Sequence, residues 1–348
     1  MALWGPRGDW VVVLGVLLCA GCSDAGGRAP DPPSPPIAPH PVIPSLPDGK
    51  PPPAGPPRGA AGGFRVTLPA MTLGAGAERF PCFLIPIAID GPSRVVGAAV
   101  LRAPAGLHHG NITTQRRTGD GVRACPDSQF GNEAIEVTAG GVVLFASSTQ
   151  HAGEEWYHFP DGMGFRVPEG HEIVAHMHYL NASTTPVVIA PEYEWYTIGE
   201  SSLREELFPF VWMITGFQIP PHAEYTARAE CELPETGMHI VTLLPHMHRL
   251  GRELTAGFWG GARDGELFLE SPGYDPDKGV MVQYDPPVDV IDGWGVDYSC
   301  TWRNDGDSIV YEGFGAGEMC MLFGFGYPRR TTYSFLATAK GSCSAVGR

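Results

Sequence analysis

The stretch TGMHIVTLL, from Thr236 to Leu244, runs directly into Pro245-His246-Met247-His248 and shows what kind of fold to expect. It is short, rich in β-branched and apolar residues, and flanked by proline, which is typical of a β-strand. Comparable runs are Phe83 to Ile89, Val95 to Leu101, Gly141 to Phe145 and Glu172 to Tyr179. No stretch has a sustained helical period, since Ser202 to Leu207 offers one turn at best. The pattern predicts an all-β chain.

Composition supports short strands joined by many turns. The chain has 348 residues, with 46 Gly and 35 Pro, and only 18% of its residues are charged. This length allows two domains of ordinary size. A formal net charge of −15 argues against nucleic acid as a partner and against charge-driven docking on an anionic membrane surface.

The N-terminus is typical of an export signal. Arg7 precedes an apolar run from Trp10 to Ala20, which is too short to span a bilayer. The end of the run, LLCAGC, resembles a bacterial lipoprotein signal that is cut before Cys22, although Cys19 stands where leucine is usual. We therefore expect residues 1–22 to be a signal peptide, Cys22 to carry lipid, and the protein to be exported to the bacterial cell envelope. The alternative is an ordinary secretory signal, which also leads out of the cytoplasm.

A proline-rich tether is predicted next, over residues 23–62. It contains 14 of the 35 prolines, between Pro30 and Pro57, and such a run favours extended polyproline conformation rather than a buried core. Contact with the membrane is expected only through the lipid anchor. Two domains are predicted to follow, at residues 63–199 and 200–348.

Cysteine usage fits an exported protein. Six cysteines follow the signal, namely Cys82, Cys125, Cys231, Cys300, Cys320 and Cys343. An even number in an exported chain indicates disulfide bonds. A domain boundary near residue 199 would pair Cys82 with Cys125, and the other four would keep three possible pairings.

Two groups of histidines are candidate metal ligands. The first comprises His108 and His109, with His178 far downstream. Adjacent residues on a regular strand point to opposite faces, so His108 and His109 can share an ion only at a strand end or a bulge. The second group is His246 and His248, which would lie on the same face of one strand.

A methionine narrows the choice of metal. Imidazole alone suits zinc, copper, iron or nickel, whereas the thioether of Met319 added to His246 and His248 favours copper that must be stable as Cu(I).

Four motifs together resemble one family. They are Leu107-His108-His109-Gly110; Gly162 to Val167 leading to His178-Tyr179; Phe217 to Pro221 leading through Cys231 to His246 to Gly251; and Glu318-Met319-Cys320. In this order they are similar to the two domains of the copper type II, ascorbate-dependent monooxygenases, the family of peptidylglycine α-hydroxylating monooxygenase and dopamine β-hydroxylase. The resemblance extends from about Phe64 to Cys343.

The resemblance implies a fold, a ligand set and a reaction. The fold would be two antiparallel β-sandwich domains of jelly-roll type, in tandem, flanking a water-filled cleft. His108, His109 and His178 would bind an electron-storing copper, and His246, His248 and Met319 the copper at which O2 and substrate meet. The disulfides would be Cys82–Cys125, Cys231–Cys343 and Cys300–Cys320. The chain would hydroxylate an activated C–H bond with O2 and a reductant such as ascorbate.

The substrate side departs from the peptide-amidating relatives. Leu244, Met321 and Phe323 stand where those relatives carry an arginine that binds the substrate carboxylate, a polar residue and a tyrosine. His176 replaces their glutamine, and Arg249 lies too close to His248 to substitute for the arginine. A small neutral aromatic or apolar substrate is therefore expected. The alternatives are a non-catalytic exported copper-binding lipoprotein and a zinc hydrolase, which would not need Met319.

Overall fold

The computed structural model describes residues 49–126, 140–147, 152–233, 237–276, 281–290, 295–313, 317–328, 335–338 and 343–345. The predicted signal peptide, Cys22 and most of the predicted tether lie outside these ranges. From residue 45 onward the chain forms one compact unit. None of the helices in the described ranges is long and apolar enough to cross a membrane.

The described residues of the first half contain fourteen strands. They are β1 (Ala60–Thr67), β2 (Met71–Leu73), β3 (Glu78–Arg79), β4 (Cys82–Pro86), β5 (Val95–Ala103), β6 (Leu107–Arg116), β7 (Arg123–Ala124), β8 (Val143–Ser147), β9 (Gly153–His158), β10 (Met163–Arg166), β11 (His171–Leu180), β12 (Val187–Ile189), β13 (Glu192–Ile198) and β14 (Glu205–Glu206). One sheet has the order β1-β13-β5-β10-β14, with β9 also paired to β5. The other has the order β7-β4-β11-β6-β8, with β3 also paired to β11, while β2 and β12 form a separate pair.

Twelve strands are described in the second half. They are β15 (Phe208–Thr215), β16 (Gln218–Ile219), β17 (Ala223–Glu232), β18 (Met238–His246), β19 (Gly251–Trp259), β20 (Leu267–Pro272), β21 (Val282–Val290), β22 (Gly295–Asn304), β23 (Val310–Tyr311), β24 (Cys320–Tyr327), β25 (Phe335–Thr338) and β26 (Cys343–Ala345). The sheets have the orders β21-β18-β24-β15-β25-β26 and β17-β22-β19-β20, with β16 and β23 as a separate pair. Two single 3-10 turns, Glu200–Ser202 and Gly261–Arg263, are the helical segments of the described residues. The all-β prediction is confirmed.

Burial patterns show how the sheets stack. Strand β17 alternates exposed and buried residues, so one face meets solvent and the other joins the core of the second half. Strand β11, at the centre of its sheet, is buried along almost its whole length. Each half has its own cluster of buried apolar side chains. A strand that is buried on both faces, as β11 is, can hold its side chains at fixed positions.

The two halves share part of one core. Leu244, Phe323 and Phe325 belong to the second half by sequence but are buried in the cluster of the first half. The ring of Phe325 stacks on Phe165, with centroids 5.3 Å apart, and meets Phe159 at 4.9 Å. Aromatic contacts of this kind add to the free energy of area burial. The halves are therefore packed against each other through apolar side chains.

Two strand pairings lie near the predicted boundaries. Strand β14, which follows the predicted boundary at residue 199, pairs with β10 of the first half. Within the predicted tether, Lys50 exchanges backbone hydrogen bonds with Gln283, and β1 begins at Ala60. Backbone donors of a proline-rich segment can pair with an exposed strand edge.

Three disulfide bonds lie among the described residues. Cys82–Cys125 lies within the first half, and Cys231–Cys343 and Cys300–Cys320 lie within the second. These are the pairs that the family resemblance implied. Both bonds of the second half connect its two large sheets, since β17 and β22 belong to one sheet and β26 and β24 to the other.

Candidate metal centre

The first histidine cluster, His108, His109 and His178, is built by the register of two strands. On β11, His178 lies opposite His109 of β6, and the next residue, Tyr179, lies opposite Leu107. This shift leaves His108 as the extra residue of a β-bulge, which turns its side chain toward the side of His109. Of the two arrangements that would let adjacent histidines share an ion, a strand end or a bulge, the structure has the bulge.

The ligand atoms of the first histidine cluster converge. One ring nitrogen from each histidine can be chosen so that all three lie within 4.8 Å of one another. The Nδ1 atoms of His108 and His109 are 2.9 Å apart. His178 uses Nε2 to contact Glu78 Oε1 at 2.6 Å, which leaves its Nδ1 for a metal ion. The geometry thus favours coordination through Nδ1.

The second ligand set, His246, His248 and Met319, is assembled differently. Strand β18 ends at His246, and His248 lies in the turn that follows, so the two histidines do not occupy one regular strand as the spacing predicted. Their ring centroids are 5.2 Å apart, with the rings nearly perpendicular. Met319 is buried immediately before β24.

Hydrogen bonds fix the direction in which His248 points. Its Nδ1 contacts the carbonyl oxygen of Gly317 at 2.9 Å. Its Nε2 is buried and has no hydrogen-bond partner among the described residues. A buried polar nitrogen without a partner is energetically costly unless something else binds it. A metal ion would satisfy this atom, so these residues fit the copper that their donor types indicate.

Glu318 and Tyr274 hold the turn that carries His248. The Glu318 carboxylate is fully buried and accepts the backbone N–H groups of His248 at 3.0 Å and Leu250 at 2.8 Å. The Tyr274 hydroxyl accepts the N–H of Met247 at 3.0 Å. Since Glu318 is the neighbour of Met319, one residue ties the histidine turn to the methionine segment.

Burial keeps the candidate ligands neutral. Desolvation lowers the pKa of His108 to about 4 and that of His246 to about 3. It also lowers the pKa of His109, His178 and His248, and neighbouring histidines lower that of His109 further. Neutral imidazole is the form that binds metal ions. At neutral pH all five histidines are therefore ready to act as ligands.

The two groups of ligands lie side by side. The ring of His109 is 6.1 Å from that of His246 and 6.5 Å from that of His248, measured between centroids. The resemblance implied a water-filled cleft between the domains, whereas here the histidines of both groups form one cluster. Packing of the shared core, described above, brings them together.

The residues expected on the substrate side share a strand face with His246. Register pairs His246 with Met321 and Leu244 with Phe323. Leu244 and Phe323 are buried in the core that joins the halves, and Met321 is partly exposed. His176, to which no role was assigned, is buried with Nδ1 3.8 Å from Cys82 Sγ. Arg249 is exposed.

Sequence reasoning missed the residues that hold the ligands. Glu318 stands beside Met319 in the chain, so its burial next to a ligand could have been suspected. Glu78 lies 100 residues before the histidine that it contacts, and no sequence pattern connects the two. Phe80 stacks on the same ring, with centroids 4.3 Å apart.

One family model matches the chain. Residues 211–340 match the copper type II ascorbate-dependent monooxygenase, C-terminal domain. The predicted resemblance is confirmed for this part of the chain, residues 211–340. The matched range contains the second ligand set and does not include the first histidine cluster.

Comparison with solved structures gives only remote likeness. The quasi-atomic model of the PBCV-1 virus capsid is 8% identical, covers 75% of this chain and 92% of that chain, and has a TM-score of 0.23. The crystal structure of the infectious bursal disease virus VP2 subviral particle is 10% identical, covers 79% of this chain and 74% of that chain, and has a TM-score of 0.18. No curated protein matches the chain.

Proposed function

We propose that this protein is a copper-dependent monooxygenase that hydroxylates an activated C–H bond with O2 and an external reductant such as ascorbate. The observation that carries the proposal is a buried His248 Nε2 without a partner among the described residues, next to the ring of His246, within the range that matches the copper monooxygenase family. Met319 follows Glu318, whose carboxylate holds the turn of His248. Bound copper would supply one-electron redox chemistry and activation of O2.

Two copper ions are proposed, one at each group of ligands. The first histidine cluster offers three imidazoles and suits storage of one electron. The second ligand set adds a thioether, which favours Cu(I), the form that reacts with O2. One oxygen atom enters the C–H bond to form an alcohol, and the other leaves as water with two electrons and two protons. Ascorbate or another reductant supplies both electrons, one through each site.

The chain's own residues orient the ligands and keep them neutral. Gly317 and Glu318 direct His248 Nε2 into the site, as described above. Lowered histidine pKa values keep protons from competing with the metal. The close approach of His109 to His246 leaves a short path for electron transfer between the two groups of ligands.

The substrate is proposed to be a small neutral aromatic or apolar molecule. By register, Leu244, Met321 and Phe323 surround His246 on its strand face, and none can pair with a carboxylate. An unpaired buried carboxylate would cost several kcal/mol, and about 1.4 kcal/mol already means tenfold in affinity. Glycine-extended peptides should therefore be poor substrates. Amidation of such a peptide at a rate comparable with a neutral aromatic substrate would contradict this assignment.

The protein is proposed to act outside the cytoplasm, at the bacterial cell envelope, with lipid on Cys22 as its anchor. Support comes from the signal-like residues 1–22 and from three disulfide bonds, which persist in oxidising compartments. Mass analysis of the N-terminal peptide from native membranes would show a lipidated Cys22. An unmodified N-terminus elsewhere would point to the ordinary secretory signal.

Metal content and oxygen uptake together test the function. Protein purified without chelators should contain two coppers per chain and consume O2 with ascorbate and a neutral aromatic substrate. Met319→His should retain both coppers and lose hydroxylation. Copper binding without substrate-dependent oxygen uptake would favour a non-catalytic copper-binding protein, and zinc in place of copper would favour a hydrolase.

A further inference from the structure

A carboxylate lies behind one ligand of the first histidine cluster. Glu78 belongs to β3, which pairs with the end of β11, so that Glu78 faces Leu180 and Arg79 faces Tyr179. From there the Glu78 side chain reaches back to His178, with Oε1 2.6 Å from Nε2. The His178 side chain is only 3% exposed, whereas that of Glu78 is 44% exposed. The contact therefore joins a buried ligand to a charge at the protein surface.

This contact determines which nitrogen of His178 is free. An ionised carboxylate can only accept a hydrogen bond, so the proton of neutral His178 lies on Nε2. The lone pair is then on Nδ1, the atom that completes the cluster with His108 and His109. Phe80 packs flat against the same ring, at an interplanar angle of 20°. Phe80 is 45% exposed, which is unusual for a large apolar side chain, and its contact with His178 gives it a structural reason to be there.

We propose that Glu78 is a positioning residue of the first copper site, which holds His178 in the Nε2–H form and places a negative charge beside the ligand. The inference rests on the proposed binding of copper at this cluster. A carboxylate hydrogen-bonded to a metal-bound histidine makes that ligand more basic. Since Cu(II) carries more charge than Cu(I), Glu78 stabilises the oxidised form more than the reduced form.

Within the described ranges, no carboxylate contacts an imidazole of the second ligand set. There the outer nitrogen of His248 contacts the neutral carbonyl of Gly317. Glu318 accepts backbone N–H groups and not the imidazole. A carboxylate behind the first cluster and a carbonyl behind the second would thus separate the two coppers in redox behaviour, beyond the difference made by Met319.

Substitutions at Glu78 test the proposal in the full-length protein. Glu78→Gln keeps the size of the side chain and removes the charge, and Glu78→Asp shortens the reach. A matched control is Asp307→Asn, because Asp307 contacts His222 Nε2 at 2.8 Å on the exposed surface of the second half. Cu(II) and Cu(I) affinities are measured with competing chelators, in a His246→Ala/His248→Ala background so that only the first cluster binds.

The expected loss of affinity is larger for Cu(II) than for Cu(I). Glu78→Gln should lower Cu(II) affinity by about 10- to 100-fold and Cu(I) affinity by a smaller factor. The electron paramagnetic resonance spectrum of Cu(II) at the first cluster should shift, Glu78→Asp should recover part of the affinity, and Asp307→Asn should match the parent protein. Nitrogen NMR of the copper-free protein should show His178 protonated on Nε2.

Several outcomes would overturn the inference. Unchanged Cu(II) affinity in Glu78→Gln would do so. Equal losses of Cu(II) and Cu(I) affinity would also do so, because a merely structural role would lower both affinities by the same factor. Protonation of His178 on Nδ1 would also contradict it, in a measurement that needs no metal. If the parent protein binds no copper at this cluster, the proposed function fails instead, and the two failures are distinguishable.

Discussion

The first histidine cluster and the second ligand set hold similar side chains by different means. Strand pairing with a bulge at His108 places the first, and a single surface carboxylate, Glu78, orients it. In the second, His246 ends β18 and His248 lies in the turn that follows. Gly317 and Glu318 contact His248, and a disulfide bond at Cys320 restrains the segment of Met319. The comparison teaches that the register of two strands and one bulge can bring three histidines together, while a ligand in a turn depends on hydrogen bonds from a segment 70 residues away. Four predictions test this difference.

The largest effect is expected from removal of the second pair of histidines. His246→Ala with His248→Ala should reduce copper from two ions per chain to one and abolish hydroxylation. Metal analysis by mass spectrometry measures this, with the folded state checked by circular dichroism. A content of zero or two coppers after the double change would refute separate sites, and would be of particular interest because His109 approaches both histidines.

Loss of the Cys300–Cys320 bond should have the next largest effect. The bond closes a sequence separation of 20 residues, for which chain entropy gives a stabilisation of about 3 kcal/mol. Since Cys320 follows Met319, Cys320→Ser should weaken copper binding at the second ligand set more than at the first histidine cluster.

The bond Cys82–Cys125 provides a matched control, with a separation of 43 residues and an expected stabilisation of about 4 kcal/mol. Its removal should lower the unfolding midpoint at least as much and leave copper at the second ligand set unchanged. Equal effects of both bonds on that copper would show that only global stability matters. Non-reducing peptide mapping that joined Cys320 to Cys343 would contradict the pairing itself.

Glu318→Gln should have a somewhat smaller effect on stability. The amide can accept one of the two backbone N–H groups and leaves the other buried and unpaired, which costs about 1–3 kcal/mol. Urea unfolding measures the loss, and copper affinity at the second ligand set should fall at least tenfold.

Glu312→Gln is the control for this change, because Glu312 accepts one backbone N–H, that of Gly216, at the exposed surface. It should alter stability by less than about 0.5 kcal/mol. If Glu318→Gln weakened copper equally at both groups, the idea that Glu318 serves the turn of His248 would be wrong.

The smallest effect is a dependence of the copper-free protein on pH. Desolvation lowers the pKa of His246 to about 3 in the fold, while an unfolded histidine titrates near 6.5. Below pH 6.5 the unfolded chain therefore binds more protons, so stability falls as pH decreases from 6.5 toward 3, and this histidine has no effect above 6.5.

Replacing the histidine isolates its contribution from that of the carboxylates. Between pH 7 and pH 5, the free energy of unfolding of His246→Gln should fall by about 1–2 kcal/mol less than that of the parent protein. Urea unfolding at each pH measures the difference. Parallel pH profiles for the two proteins would show that His246 is not buried in its neutral form.

The sequence by itself determined the fold class and the chemical types of the candidate metal ligands. Short apolar runs bounded by glycine and proline predicted an all-β chain, because strand propensity and turn residues are local properties. The requirement for a strand end or a bulge at His108 and His109 also followed from the sequence, because side chains alternate along any strand. Met319 beside two histidines indicated copper for the chemical reason that a thioether is a soft donor.

Only the tertiary structure decided which other residues reach those donors. Glu78 and His178 are 100 residues apart, and Glu318 and His248 are 70 apart, so no local pattern records their contacts. The short distance between the two histidine groups likewise depends on how the halves pack, through Phe325 and its aromatic neighbours. Donor identity is a property of single residues and can be recognised in a sequence. The orientation and environment of each donor arise from contacts between distant segments, and these exist only once the chain has folded.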